Sequence, residues 1–272
     1  MYNEQWIIDK RMNILEEIIE YKKREVAQLK NEVSIETLEG ARLFSRKTLS
    51  LKKFLADKKR TGIIAEFKRR SPSKGIINEK SGVVEVTKGY ASHGASGLSV
   101  LTDRNFFGGS NDDLVAARGN EIPILRKDFI VDEYQVIESK SIGADVILLI
   151  AACLTQSEVK LLARAAKKLQ LEVLLEIHDE EEIGHICDEI DLVGVNNRNL
   201  KTFKVDLEQS VKLAGQIGSG KVKIAESGIS NIENIGYLKN YGFDGFLIGE
   251  HFMKEHDPVA SFKAFVRELK DH

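Results

Sequence analysis

The sequence predicts an α/β fold, a closed (β/α)8 TIM barrel with an N-terminal helical extension, on three observations. Eight short apolar runs recur at strand length from about residue 62 to the end of the chain. Their hydrophobicity is nearly continuous, as in parallel strands covered on both faces, whereas antiparallel strands more often alternate. Longer polar and apolar segments of helical spacing separate them, so strand and helix take turns. The 272 residues exceed the usual single-domain size, yet α/β barrels commonly reach this length as one domain. An open doubly wound sheet competes, but it usually has fewer strands and one glycine-rich nucleotide loop, and neither GxGxxG nor GxxxxGKS/T occurs here. The expectation is a single domain over 1–272, with the extension over 1–60 and the barrel over 61–272.

In chain order, the extension comes first. Met12, Leu15, Ile19, Val26 and Leu29 recur at spacings of three, four and seven among Glu, Lys and Arg, the pattern of an amphipathic helix with an apolar face to cover. Asn31 and Ser34 offer capping or turn positions, and Ser50 caps a short helix through Leu51, Phe54 and Leu55. The extension either plugs the barrel bottom or mediates an oligomer, or it roofs the active-site end; both readings stay open. The strands follow at Gly62 to Phe67, Gly97 to Leu101, Ile122 to Leu125, Asp145 to Ile150, Glu172 to Ile177, Leu192 to Val195, Val222 to Ala225 and Gly245 to Ile248. Gln156 to Lys168, with Val159, Leu162, Ala163 and Ala166 on one face, exemplifies the helices between them.

A net charge of −2 with both signs interspersed creates no field to draw nucleic acid or an anionic membrane, so the expected partner is a small molecule. Cys153 and Cys187 lack CxxC spacing and read as reduced, buried thiols in a reducing compartment, with no metal site. Met1 to Gln5 carry no charged-then-apolar signal pattern, and no apolar run approaches the roughly 18 residues of a membrane span, which gives a cytoplasmic localisation as the expectation.

A barrel of this kind keeps its chemistry at the C-terminal ends of its strands. Those ends carry Glu66 and Lys68, Arg126-Lys127-Asp128, Glu176-Ile177-His178, Asn196-Asn197-Arg198, Glu226-Ser227-Gly228 and Gly249-Glu250. A single such Glu suits a rim salt bridge. Three Glu, two Lys and an Asn on five ends of one barrel instead meet in one cavity. After the last two strands, Ala225 to Ser230 and Leu247 to His251 place small residues before helix starts, where backbone N–H groups and the helix dipole favour an anion. These are the loops that commonly hold phosphate in this fold.

The chain resembles indole-3-glycerol phosphate synthases. The likeness rests on Ile64-Ala65-Glu66-Phe67-Lys68-Arg69-Arg70-Ser71-Pro72-Ser73, Leu98 to Asp103 followed by Phe106 to Ser110, and Leu125 to Ile130. It continues in Leu174-Leu175-Glu176, Gly194 to Leu200, Ala225 to Ile229 and Leu247 to Glu250, and so spans nearly the whole chain. The resemblance implies conversion of 1-(2-carboxyphenylamino)-1-deoxyribulose 5-phosphate to indole-3-glycerol phosphate, with loss of carbon dioxide and water and no metal or organic cofactor. It places Lys127 as general acid on the ketone oxygen and Glu176 as the carboxylate facing charge on the ring nitrogen. Glu66 becomes the base of the dehydration. Lys68 pairs with the substrate carboxylate and competes with Lys127 for the second acid role, while Asn196 and Glu226 complete the polar wall. Ser227, Gly228, Gly249 and Glu250 hold phosphate through backbone donors, Ser71 rides on a mobile first loop, and Phe129 touches the aromatic ring. Arg198 either meets a substrate anion or braces carboxylates. Glu250 stands where some relatives carry Ser, and its carboxylate is expected to turn outward. Arg69, Arg70 and Lys74 read as solvated charge. A monomer is expected, with association with other tryptophan-pathway enzymes open. Phosphoribosylanthranilate isomerase, a histidine-pathway isomerase or a catalytically silent phosphate-binding barrel are the competing functions; the Glu66 and Lys68 pair and the long extension argue against the isomerases, and opposed acids and bases against a silent barrel.

Overall fold

The computed structural model describes residues 13–198 and 204–271. The sequence readings at Met1 to Gln5, Met12, Asn199 and Leu200 lie outside these residues. Strands β1 (Ile63–Phe67), β2 (Gly97–Leu101), β3 (Ile124–Lys127), β4 (Val146–Ile150), β5 (Glu172–Ile177), β6 (Leu192–Asn196), β7 (Val222–Glu226) and β8 (Gly245–Ile248) each pair in parallel with the next. β8 pairs with β1, Ile64 opposite Leu247, and the barrel closes. The apolar runs located these strands but ended the third, sixth and seventh too early. β3 begins and ends two residues later than Ile122 to Leu125, because Arg126 and Lys127 still pair with Val100 and Leu101. Backbone pairing continues into the polar end of the barrel, where hydrophobicity no longer marks it.

In the extension, α1 (Ile14–Glu32) starts in a capping box of Asn13 and Glu16, α2 (Ile35–Glu39) is capped by Ser34, and α3 (Leu51–Ala56) is capped by Ser50. Asn31 is not a cap: it lies in the last turn of α1 and donates to the Ala27 carbonyl at 3.1 Å. The barrel helices are α4 (Val83–Ser92), α5 (Asn111–Ala117), α6 (Glu133–Ser141), α7 (Gln156–Lys168), α8 (Leu207–Gln216), α9 (Ile232–Asn240), α10 (Glu250–Met253) and α11 (Pro258–Asp271), and a short 3-10 helix (Glu180–His185) stands between β5 and β6.

The two readings of the extension apply to different parts of it. α3 plugs the bottom: Leu51 joins Ile64, Leu125, Leu174, Leu192 and Ile224 inside the barrel. Glycines at strand starts make room, since a Cβ on Gly97 would lie 2.7 Å from Leu51 Cδ1 and one on Gly245 2.9 Å from Leu55 Cδ2. Carboxylates at the strand starts fasten the segment, Asp145 accepting from the Leu49 N–H at 2.8 Å and Glu172 from the Leu51 N–H at 2.7 Å. α1 lies at the opposite end, where Ile14, Leu15 and Ile18 line the cavity described below. Its Lys22 is buried, with Nζ 2.9 Å from Asp103, 3.1 Å from Asp128 and 2.6 Å from Glu25. Burial alone would lower the Lys22 pKa, but Asp128, Asp103 and Glu25 outweigh it and hold the group above its usual range.

Candidate active site

Side chains along a strand alternate between faces, so a residue two positions after an inward apolar side chain also points inward. Ile64, Leu125, Leu174 and Ile224 fill the barrel interior, and two positions on stand Glu66, Lys127, Glu176 and Glu226. Arg126 has the opposite parity and faces α6, where it meets Glu138 at 2.7 Å. One cavity of about 420 Å³ opens at this end. All thirteen residues singled out from the sequence line it: Glu66, Lys68, Ser71, Lys127, Phe129, Glu176, Asn196, Arg198, Glu226, Ser227, Gly228, Gly249 and Glu250.

The polar wall contains two lysine–glutamate pairs. Lys68 Nζ lies 2.6 Å from Glu66 Oε1, and the Ser99 hydroxyl donates to Glu66 Oε2 at 3.2 Å. Lys127 Nζ lies 2.9 Å from Glu176 Oε2 and 3.6 Å from Glu226 Oε2. Asn196 Nδ2 donates to Glu176 Oε1 at 2.9 Å. Burial alone would lower the Lys127 pKa, yet Glu176, Glu226 and Glu66 together raise it, so the ammonium stays charged. Burial alone would raise Glu176, but Lys127, His178 and Asn196 hold it well below the usual carboxylate range. Glu226 goes the other way, pushed up to about 8 by burial and by the negative charge of Glu176 and Glu66. Its Oε1 has no hydrogen-bond partner and lies where a Cβ on Gly194 would be, 2.0 Å away. The opposing wall is apolar, with Phe107 and Phe129 at a ring separation of 6.0 Å below Ile14, Leu15 and Ile18.

After β7, Ser227 (φ 66°) and Gly228 (φ 70°) take consecutive left-handed conformations, a strained choice for Ser. Asn197 holds this turn by donating to the Ser227 carbonyl at 2.7 Å. Gly249 precedes α10, and a Cβ there would lie 2.6 Å from Glu66 Oε1, so this glycine also gives room to the β1 carboxylate. The Glu250 carboxylate does not turn outward to solvent alone. It meets Arg198 Nη2 at 3.1 Å and Lys74 Nζ at 3.6 Å, and Arg198 braces it while also donating to Ser73 at 3.2 Å. Arg69 and Arg70 are not solvated charge either. Arg69 forms a two-pronged pair with Asp113 at 2.5 and 2.7 Å, and Arg70 donates to the carbonyls of Arg104 and Asn105. They fix the base of a hairpin (Arg70–Ser71 with Gly75–Ile76) whose tip carries Pro72 and Ser73 over the cavity.

The family model described as indole-3-glycerol phosphate synthase matches residues 15–268. An indole-3-glycerol phosphate synthase of Bacteroides thetaiotaomicron is 48% identical over 259 residues, which cover 95% of this chain and 99% of that one. One from Prochlorococcus marinus is 42% identical over 270 residues, 96% of this chain and 91% of its own. The chain belongs to the indole-3-glycerol phosphate synthase family. Among solved structures, a chain of the tryptophan synthase α2β2 complex from Pyrococcus furiosus superposes with a TM-score of 0.59 at 15% identity, covering 79% of this chain and 99% of that one. KGPDC from Streptococcus mutans gives 0.58 at 13% identity over 77% and 97%. These two likenesses speak to the barrel fold alone.

The family pattern leaves some of the site's construction unread. Ser99, Gly194 and Asn197 have no charge to announce them; parity on β2 and β6 was the available signal for the first two. Lys22 shares its helix with the exposed Lys23 and Lys30, and nothing local sets it apart. His178 was visible at a strand end but had no assigned task. Among the described residues no group of three or more His, Cys, Asp or Glu side chains could hold a metal ion, and no helix is long and apolar enough to cross a membrane. Cys153 and Cys187 are both unpaired and half-buried.

Proposed function

We propose that this chain carries out the reaction of its family, closing the indole ring of 1-(2-carboxyphenylamino)-1-deoxyribulose 5-phosphate, and that the residues of the cavity divide the work as follows. Lys127 gives a proton to the ketone oxygen as the aryl carbon bonds to the ketone carbon. Neighbouring carboxyl groups, Glu176 foremost, keep it protonated, the state in which an acid must start. Positive charge then grows on the ring nitrogen, and Glu176, ionised beneath it, stabilises that charge and loosens its own hold on Lys127. The aryl carboxylate, paired with Lys68, leaves as carbon dioxide and returns its electrons to the ring. Glu66 removes one of the two protons of the methylene carbon beside the ring nitrogen, while a lysine protonates the departing hydroxyl and water leaves. Phe129 packs on the aromatic ring beneath the α1 roof. Ser227, Gly228, Gly249 and the Glu250 amide take the phosphate, with Ser71 closing from the hairpin.

The observation that carries this reading is the convergence of two lysine–glutamate pairs on one cavity that also holds the left-handed turn at Ser227 and Gly228. We further infer that extension and barrel act as one domain, and that the chain is a cytoplasmic monomer able to associate with other tryptophan-pathway enzymes. The substrate is a small phosphosugar; neither nucleic acid nor membrane is a partner. The test is Lys127→Met. Indole formation should fall by about a thousandfold or more, within or beyond the roughly hundred- to ten-thousandfold worth of a positioned acid, with substrate affinity by calorimetry within about threefold. A variant that keeps most of its turnover contradicts the acid assignment.

A further inference from the structure

His178 stands two residues beyond Glu176, with the same parity, and its side chain is nine-tenths buried. Nδ1 lies 3.3 Å from Glu182 Oε2, and that same oxygen accepts the His178 backbone N–H at 2.7 Å. Nε2 lies 3.0 Å from Glu176 Oε1, an ion-pair contact too bent for a hydrogen bond. Both ring nitrogens therefore face carboxylate oxygens. A neutral imidazole would turn a lone pair toward one of them, so the arrangement favours the doubly protonated ring. Glu182 is itself held, on the 3-10 helix whose cap Asp179 accepts from the Glu181 and Glu182 N–H groups.

We propose that His178 is a positioning residue, an imidazolium anchored by Glu182 that fixes the Glu176 carboxylate opposite Lys127. The proposal rests on the reading of Glu176 as an ionised group of the reaction. With Asn196 and His178 at Oε1 and Lys127 at Oε2, both oxygens of Glu176 are committed. Without the imidazolium, Glu176 turns more freely and gains a proton more easily, and the whole of its charge falls on Lys127, which then yields its proton less readily. Among the described residues, the other ionisable groups facing this pair are Lys127 from β3, Glu226 from β7 and the Cys153 thiol from the turn after β4, whose pKa burial pushes up so that it stays neutral. Gln209 of α8 donates to the His178 carbonyl at 3.2 Å and adds no charge. Burial alone would lower the His178 pKa, but Glu176 and Glu182 outweigh it and raise it to about 10, so the ring stays charged through neutral pH.

The experiment compares kcat and KM against pH, with thermal melting alongside, for the full chain and for His178→Asn, His178→Lys and Glu182→Gln. In His178→Asn the acid limb of kcat moves up by about one pH unit, so that kcat on that limb falls about tenfold, with KM within about threefold. His178→Lys, which keeps a cation, restores much of the limb. Glu182→Gln shifts it in the same direction through a different residue, so the proposal stays testable should one variant fold poorly. An unmoved limb in folded His178→Asn and Glu182→Gln, with activity tracking only the folded fraction, overturns the proposal. Glu176→Gln is measured in parallel: if it keeps most turnover, the reading of Glu176 fails and this inference falls with it, whereas an inactive Glu176→Gln beside an unmoved limb overturns the His178 role alone.

Discussion

Glu226 shows how far one side chain's chemistry is set by its neighbours. It shares a cavity wall with Glu176, yet Lys127, His178 and Asn196 are committed to Glu176, and Glu226 is left buried with an unpartnered oxygen and a pKa near 8. A carboxyl with a folded pKa above its unfolded value keeps its proton while the unfolded chain loses its own. Stability therefore falls as pH rises from the unfolded carboxyl range toward about 8 and levels off above it. Glu226→Gln removes that penalty. We expect its melting temperature to exceed that of the parent at pH near 8, with the gain shrinking toward about pH 5, while turnover drops, as when a strained functional group is relieved. A constant difference in melting temperature across that range would place the perturbation elsewhere. The glutamates themselves were legible from strand ends, but their opposite pKa shifts were not, because these depend on which neighbour each oxygen meets.

Among the elements, α1 acts as roof and clip together. Its apolar residues cover the cavity, and Lys22 ties the loops after β2 and β3 through Asp103 and Asp128, the latter adjacent to Lys127. Removing that ammonium leaves Asp103 with backbone donors alone and Asp128 with Arg126 as its remaining cation, so Lys22→Met should cost up to about 3–5 kcal/mol by urea unfolding and raise KM, since the roof seats less firmly. A loss below about 1 kcal/mol would show that water already reaches the cluster. The amphipathic spacing revealed that α1 exists and needs a partner, but not which end of the barrel it covers. That choice is made by side chains far along the chain, where Asp103 and Asp128 take Lys22. The same long-range pairing explains why Arg69 and Arg70 read as solvent-facing in the sequence: the carbonyls of Arg104 and Asn105 come from the connection between β2 and α5, and Asp113 from the first turn of α5.

The whole molecule separates stability from chemistry along the barrel axis, with α3 at one end and the cavity at the other. Leu51, fully buried at the bottom, should cost about 2–5 kcal/mol when cut to Ala, with kcat unchanged at temperatures where the variant is folded. A matching drop in kcat would mean that the ends are coupled. Strand order and closure were readable because eight continuous apolar runs admit few other arrangements, and the cavity because a closed barrel gathers its strand ends. Glu250 was less readable: its carboxylate answers to Arg198 and Lys74, which sequence distance hides. The most direct measurement is the fluorescence of indole-3-glycerol phosphate when the purified chain meets 1-(2-carboxyphenylamino)-1-deoxyribulose 5-phosphate without added metal or cofactor, with carbon dioxide followed in parallel. Indole and carbon dioxide appearing in equal amounts, and neither appearing with Lys127→Met, is the predicted result; a chain that binds the compound and leaves it unchanged contradicts it.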